Sequence, residues 1–159
     1  WKVGRAFAAR KLRELDGVWG GELAGHYYFR DFFYSDSGLL ASMLILRVVA
    51  AMKKEGVTLH ELIGRIARYQ NSGEINFRLD DKKGAMDAVK EYFTSKEKPT
   101  AEMDFDGYRV EFPDWWFNIR PSNTEPYLRF ICEATSDALL EEKVGETKNL
   151  LVERFGAKL

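Results

Sequence analysis

The second half of this chain switches between apolar and polar side chains at every other residue, in four separate runs. Ile75, Phe77 and Leu79 form the first, Tyr108, Val110 and Phe112 the second. Trp115, Phe117 and Ile119 form the third, and Leu128, Phe130, Cys132 and Ala134 the fourth. A period of two puts each set on one face of a strand, so one face must be buried and the other left to water. Two stretches break this rhythm with helical spacing. Met86, Val89 and Phe93 mark one; Leu140, Val144, Leu151 and Phe155, after an opening at Ser136, mark the other. Asp106-Gly107 is a hairpin signal. The order strand, helix, three strands, helix predicts an α+β domain: a four-stranded antiparallel sheet with two helices on one face.

The first half follows another plan. Val3 to Leu15 predicts a helix buried through Phe7, Leu12 and Leu15. Short strands follow at Val18-Trp19 and at His26 to Arg30, joined by Glu22-Leu23-Ala24-Gly25. Asp36 or Ser37 can cap the next helix, which Gly56 ends. That helix is apolar on nearly every side, as expected of one packed between layers. Thr58 and Glu61 have the spacing of a capping box. Alternating helices and strands predict part of an α/β layer. The pattern changes near Tyr69 to Gly73, which places a domain boundary between 1–70 and 71–159.

Composition removes several function classes. A formal net charge of -1 lacks the basic excess that a nucleic-acid or membrane-surface partner needs. The longest apolar stretch, Leu39 to Met52, contains Arg47 and is shorter than the roughly 20 residues of a membrane span. One cysteine, Cys132, rules out an internal disulfide and suits a reducing compartment. Cytoplasmic location is the expectation. The opening at Trp1, already in a helical pattern, predicts a piece of a longer protein with its missing part upstream.

Between the last two predicted strands lies Arg120-Pro121-Ser122-Asn123-Thr124-Glu125-Pro126-Tyr127-Leu128-Arg129. Ser122 and Thr124 offer hydroxyl donors and Asn123 an amide, and a tight backbone here can turn several N–H groups inward as an anion nest. Arg120 and Arg129 can add charge-assisted, bidentate hydrogen bonds. By strand alternation Arg129 lies on the face opposite Leu128, Phe130 and Cys132. A phosphate dianion fits this set. Residue types alone fit a solvated turn better, since serine, asparagine and proline are common turn residues and paired arginines are usually exposed.

The full string decides between them. It resembles the phosphate-binding loop of the α-D-phosphohexomutases, and the Ser122-Asn123-Thr124 core is most similar to the phosphomannomutase/phosphoglucomutase branch. Phosphoglucosamine mutases typically carry Ser-Gly-Thr there. A second string agrees. Gly21-Glu22-Leu23-Ala24-Gly25-His26 resembles the sugar-recognition loop of the family's third domain, commonly Gly-Glu-x-Ser-Gly-His. Glu22 can accept hydrogen bonds from two sugar hydroxyls, and His26 can donate to a ligand or move a proton near neutral pH. A plain glycine-rich turn explains this loop equally well when it is taken alone. Ala24 lacks the usual hydroxyl and leaves substrate preference open. Upstream, Lys2-Val3-Gly4-Arg5 resembles a helix opening of the same third domain in which many relatives have histidine at the position of Arg5; a surface arginine is the simpler account.

The resemblance implies that 1–70 is the C-terminal part of a third, sugar-recognition α/β domain and 71–159 the C-terminal phosphate-binding domain. It implies Arg120, Ser122, Asn123, Thr124 and Arg129 on the phosphate, and Glu22, Ala24, Gly25 and His26 at the sugar, with Arg5 possible. It further implies an intramolecular phosphotransferase (an isomerase of carbohydrate metabolism) that moves phosphate between positions 1 and 6 of a hexose. The family does this through a phosphoserine, a magnesium ion and a bisphosphorylated sugar of the glucose 1,6-bisphosphate type, which also serves as activator. The serine loop and the metal loop are not in these residues, so no catalytic or metal-binding residue is assigned and the piece alone is expected to be inactive. A stand-alone sugar-phosphate-binding module and a phosphoglucosamine mutase are the alternatives.

The remaining candidates have ordinary explanations. Asp80-Asp81 and Glu141-Glu142 suit helix starts and exposed faces. His60 is expected in solvent and Cys132 in the core. Trp115 belongs to the apolar face, leaving Trp116 for the opposite one.

Overall fold

The computed structural model describes residues 1–159 and divides them into two compact units, Trp1–Ile66 and Ala67–Leu159. In the first, helix α1 (Arg5–Glu14) is followed by strands β1 (Trp19–Gly21), β2 (Tyr27–Phe29) and β3 (Ser35–Asp36), which form an antiparallel sheet in that order. Helices α2 (Gly38–Lys54) and α3 (Leu59–Ile66) complete the unit. Local chemistry sets the ends. Ser37 caps α2 by accepting from the Leu40 N–H at 3.1 Å, and Gly56, at φ 73°, follows its C-cap. The Thr58–Glu61 capping box closes in both directions.

Burial in this unit differs from the expectation. Phe7 and Leu15 are exposed and Leu12 is half-buried. Within these 159 residues Ala41 is the one buried residue of α2, and Leu39, Met43, Ile45, Leu46 and Val48 are exposed. Strands of three, three and two residues give this unit only a small sheet surface.

The second unit contains β4 (Gln70–Asn71), β5 (Ile75–Arg78), α4 (Lys82–Lys96), β6 (Ala101–Met103), β7 (Tyr108–Glu111), β8 (Trp115–Pro121), β9 (Tyr127–Ala134) and α5 (Asp137–Phe155). Its sheet has six strands rather than four. The four predicted strands are joined by β6, an outer strand on β7, and by β4, which pairs with β9 beyond the end of β5. Neither addition alternates visibly, because each is only two or three residues long and is held by its partner's backbone.

The core lies on one face of this sheet. Val110, Phe117, Ile119, Leu128, Phe130, Cys132 and Ala134 are fully buried, and Val89, Phe93 and Leu151 cover them from α4 and α5. Trp115 stacks on Phe112 at 4.4 Å and meets the edge of Phe93 at 4.8 Å, while its indole N–H donates to Glu97. Burial pushes the Cys132 thiol up to about 12, so it is an inert core side chain. Asp81 caps α4 through the Gly84 N–H, and Ser136 caps α5 through the Leu139 N–H.

One irregularity in this sheet brings Glu74 toward the β8–β9 strand pair. Asn71 pairs with Glu133, but Ile75 pairs with Phe130, so three residues, 72 to 74, stand opposite two. That is a β-bulge. The Ser72 N–H donates to the Cys132 carbonyl, the Ser72 hydroxyl accepts from the Cys132 N–H, and Gly73 turns at φ 66°. The extra residue changes which parity faces the core, and Glu74 emerges at the bend.

Candidate functional site

In the second unit, β8 and β9 run antiparallel with Arg120 directly opposite Arg129. Ile119 before Arg120, and Leu128 and Phe130 on either side of Arg129, are core residues, so the two guanidinium groups leave the sheet on the helix-free side. Like charges facing each other across strands repel. Glu74, delivered by the bulge, answers them: its carboxylate lies 3.2 Å from Arg129 Nη1 and 3.7 Å from Arg120 Nη2. Arg129 Nη2 also donates to Glu125 at 2.5 Å. The Nε–H of Arg129 is buried without a partner, and no other side-chain polar atom shares that condition. An unpaired buried donor costs about 1–3 kcal/mol.

The loop between the strands folds back on Ser122. The Ser122 N–H donates to the Tyr127 carbonyl at 2.9 Å, and the Ser122 hydroxyl accepts from the N–H groups of Thr124 (3.4 Å) and Glu125 (3.2 Å). Successive N–H groups therefore point toward one oxygen, an arrangement that suits an anion. Asn123 and Thr124 are exposed at its tip. Gly107 supports the loop from the neighbouring hairpin at φ 70°, so close that a Cβ there would lie 2.5 Å from the Cβ of Arg120.

In the first unit, residues 22 to 25 form the turn between β1 and β2. The Gly25 N–H donates to the Glu22 carbonyl at 3.0 Å, and the Glu22 N–H to the His26 carbonyl at 2.9 Å. Gly25 adopts φ 84°, which favours glycine, and Ala24 is exposed. The Glu22 carboxylate accepts from the Tyr28 hydroxyl at 2.5 Å and from the Gly4 N–H, at the start of α1, at 3.2 Å. Tyr28 is buried, and its burial together with the Glu22 bond raises its pKa well above the ordinary value. A carboxylate has about four acceptor positions, so Glu22 keeps about two for a ligand.

His26 is half exposed, and its Nδ1 lies 2.6 Å from Asp36 Oδ2. Asp36 Oδ1 accepts from the Tyr27 N–H at 2.9 Å; that bond and the His26 contact hold its carboxyl below the usual range. An ionised Asp36 makes Nδ1 the protonated nitrogen and leaves Nε2 for a ligand. Arg5, the first residue of α1, is exposed, and its charge is felt at Asp36 and Tyr28.

The structure thus gathers Arg120, Ser122 and Arg129 in one place, and Gly4-Arg5, Glu22 and His26 in another. Sequence reasoning missed two partners. In the sequence Asp36 stands out only as a helix cap, a role that Ser37 fills. Glu74 gave no signal at all, because its placement depends on the bulge.

Comparison with known proteins places both units. Residues 74–150 match the family model for the phosphoglucomutase/phosphomannomutase C-terminal domain, and residues 1–69 match the one for alpha/beta/alpha domain III. A phosphomannomutase from Methanocaldococcus jannaschii is 41% identical over 150 residues, which is 94% of this chain and 32% of that protein. A phosphomannomutase from Escherichia coli strain K12 is 40% identical, with the same coverage of 94% and 32%. A crystal structure of a phosphoglucomutase/phosphomannomutase family protein from Burkholderia thailandensis superposes with a TM-score of 0.73 at 28% identity, over 96% of this chain and 32% of that one. The chain spans about a third of the length of the curated relatives it matches.

Proposed function

This chain belongs to the phosphoglucomutase/phosphomannomutase family, and from that membership we propose that it is the substrate-holding part of a hexose-phosphate mutase. The loop of the second unit holds a phosphate through Arg120, Ser122, Asn123, Thr124 and Arg129. The turn of the first unit holds the sugar through Glu22 and His26, with the backbone at Ala24 and Gly25 close to the ring. The convergence of Arg120 and Arg129 on the helix-free side of the sheet, beside N–H groups turned toward Ser122 Oγ, carries this reading.

Two guanidinium groups and a hydroxyl suit the spread charge of a phosphate that is bound but not transferred. Fixing that end leaves the reacting end to be positioned by the remaining contacts, and positioning is a large part of catalysis in phosphoryl transfer. Asp36 keeps the His26 ring in one tautomer and orientation, so Nε2 can accept from a sugar hydroxyl or exchange a proton with it. Magnesium, where it is bound, would neutralise charge on the transferring phosphate. No three carboxylate, histidine or cysteine groups of these 159 residues converge to hold it, and we place its site, like the phosphoserine, in the rest of a longer chain.

The names of the similar proteins favour mannose phosphate, and the Ser122-Asn123-Thr124 core is consistent with a mannose or glucose substrate. The test is mutational. In the complete enzyme, Arg120→Ala and Arg129→Ala are each expected to lower kcat/KM by at least tenfold on mannose and glucose phosphates. Unchanged kcat and KM in both variants would refute the assignment. Faster turnover of glucosamine phosphate than of the other two would instead move the enzyme to the glucosamine branch.

A further inference from the structure

We infer that Glu74 is a resident competitor for the phosphate, a tuning residue that keeps the arginine pair organised and weakens its grip. The inference rests on the reading of the 120–129 loop as a phosphate site. Four observations lead to it. Arg120 and Arg129 are cross-strand partners with like charge. Glu74 reaches both guanidinium groups, at 3.7 and 3.2 Å, whereas Glu125 reaches only Arg129. The Glu74 side chain is 28% exposed against 50% for Glu125, so it is the less screened of the two. The bulge at 72–74, fixed by Ser72 on both backbone groups of Cys132, gives Glu74 a defined origin.

Before ligand arrives, two positive and two negative side chains meet here, and the local charge sums to about zero. An incoming dianion must share the guanidinium N–H groups with Glu74 and feels its repulsion at short range. The carboxylate thus lowers affinity while preserving geometry. A moderate grip suits a site that must release its phosphate in every cycle, since binding the ground state more tightly does not speed the chemical step.

The experiment is a titration of the 159-residue chain with inorganic phosphate at low and high salt, followed by the amide shifts of Ser122 to Glu125. Glu74→Gln keeps an acceptor and removes the charge. It is expected to tighten phosphate binding by about 3- to 10-fold and to make binding more sensitive to salt, an effect that lost packing would not produce. Glu74→Asp keeps the charge and should bind no tighter than the unaltered chain. Equal or weaker binding by Glu74→Gln overturns the inference. Arg129→Gln separates this from failure of the underlying reading. If it abolishes binding while Glu74→Gln binds no tighter, only the role of Glu74 falls. If it binds as the unaltered chain does, or if that chain shows no binding, the phosphate-loop reading falls and the inference with it.

Discussion

In the second unit, the inward side chains of β8 and β9, from Trp115 to Ala134, are at most 2% exposed. In the first unit α2 is richer in apolar residues, yet Leu39 is 74% exposed and Leu46 66%. What separates them is the surface on which a helix can lie. Strands β8 and β9 have seven and eight residues and are covered by two helices, while β1 to β3 have three, three and two. Apolar content therefore does not make a core by itself; an apolar stripe has to find a matching face.

Deleting a side chain from each region tests this contrast most strongly. Phe117→Ala should destabilise the second unit by about 3–5 kcal/mol, because a fully buried ring leaves a cavity that strands on either side cannot close. Leu46→Ala should stay within about 0.5 kcal/mol. Urea denaturation measures both. A cost above about 1 kcal/mol for Leu46→Ala in the 159-residue chain would mean that α2 is packed in solution, and the contrast would fail.

Two glycines sharpen the comparison at the next level. Gly107 and Gly25 both have positive φ, 70° and 84°. A Cβ on Gly107 would lie 2.3 Å from the Ile119 carbonyl oxygen and 2.5 Å from the Cβ of Arg120, whereas one on Gly25 meets nothing within 4 Å. Gly107→Ala should therefore cost about 2–4 kcal/mol, backbone strain plus displacement of β8, and should weaken phosphate binding by moving Arg120. Gly25→Ala carries only the conformational cost, about 1 kcal/mol. Equal thermal shifts for the two would show that the hairpin at Gly107 is free to move away.

Electrostatics adds a smaller contribution, again in the closed unit. Glu146 accepts from Tyr92 and Lys96 of α4 and from Lys143 of its own helix, and so ties α5 to α4. Burial alone would raise its pKa, but these bonds outweigh it and hold the carboxyl at about 2, below its ordinary 4.5. A carboxyl whose folded pKa is depressed stabilises the fold above its unfolded pKa and loses that contribution as pH falls. The second unit should thus lose stability between about pH 4.5 and 2. Glu146→Gln should flatten that limb and cost about 1–2 kcal/mol at neutral pH, after allowance for solvent screening. An acid limb of the same steepness in the variant would assign it to other carboxylates.

These tests also mark what can be read from the chain alone. The inner faces of β5, β7, β8 and β9 were legible because period-two burial is a local signal repeated many times. Strands β4 and β6 were not, since Gln70-Asn71 and Ala101–Met103 become strands only through a partner's backbone. Arg120, Ser122 and Arg129 stood out because they share one loop and its flanking strands. Glu74 is far from them in sequence and reaches them only through a one-residue shift of register, and Asp36 reaches His26 only because β2 and β3 pair. Partners of a site are hidden wherever pairing between strands, rather than spacing along one, brings them there.

The smallest effect tests whether the open unit contains structure that stands on local chemistry. Helix α3 buries no residue, so its ends must carry it. The Thr58 hydroxyl accepts from the Glu61 N–H at 3.2 Å and donates to the Glu61 carboxylate at 2.8 Å, which in turn accepts from the Thr58 N–H at 2.7 Å. Those two bonds to Thr58 also hold the Glu61 carboxyl below its usual pKa. Thr58→Ala removes both bonds of the hydroxyl and leaves the Glu61 N–H to water, a change of about 0.5–1 kcal/mol. Because no core lies beneath α3, the loss should be local. Amide exchange of Glu61 and its neighbours in α3 should quicken by about 2- to 5-fold while the unfolding midpoint of the second unit stays fixed. A fall in that midpoint would mean that α3 supports more than itself, and the first unit would then be less open than its exposed helices imply.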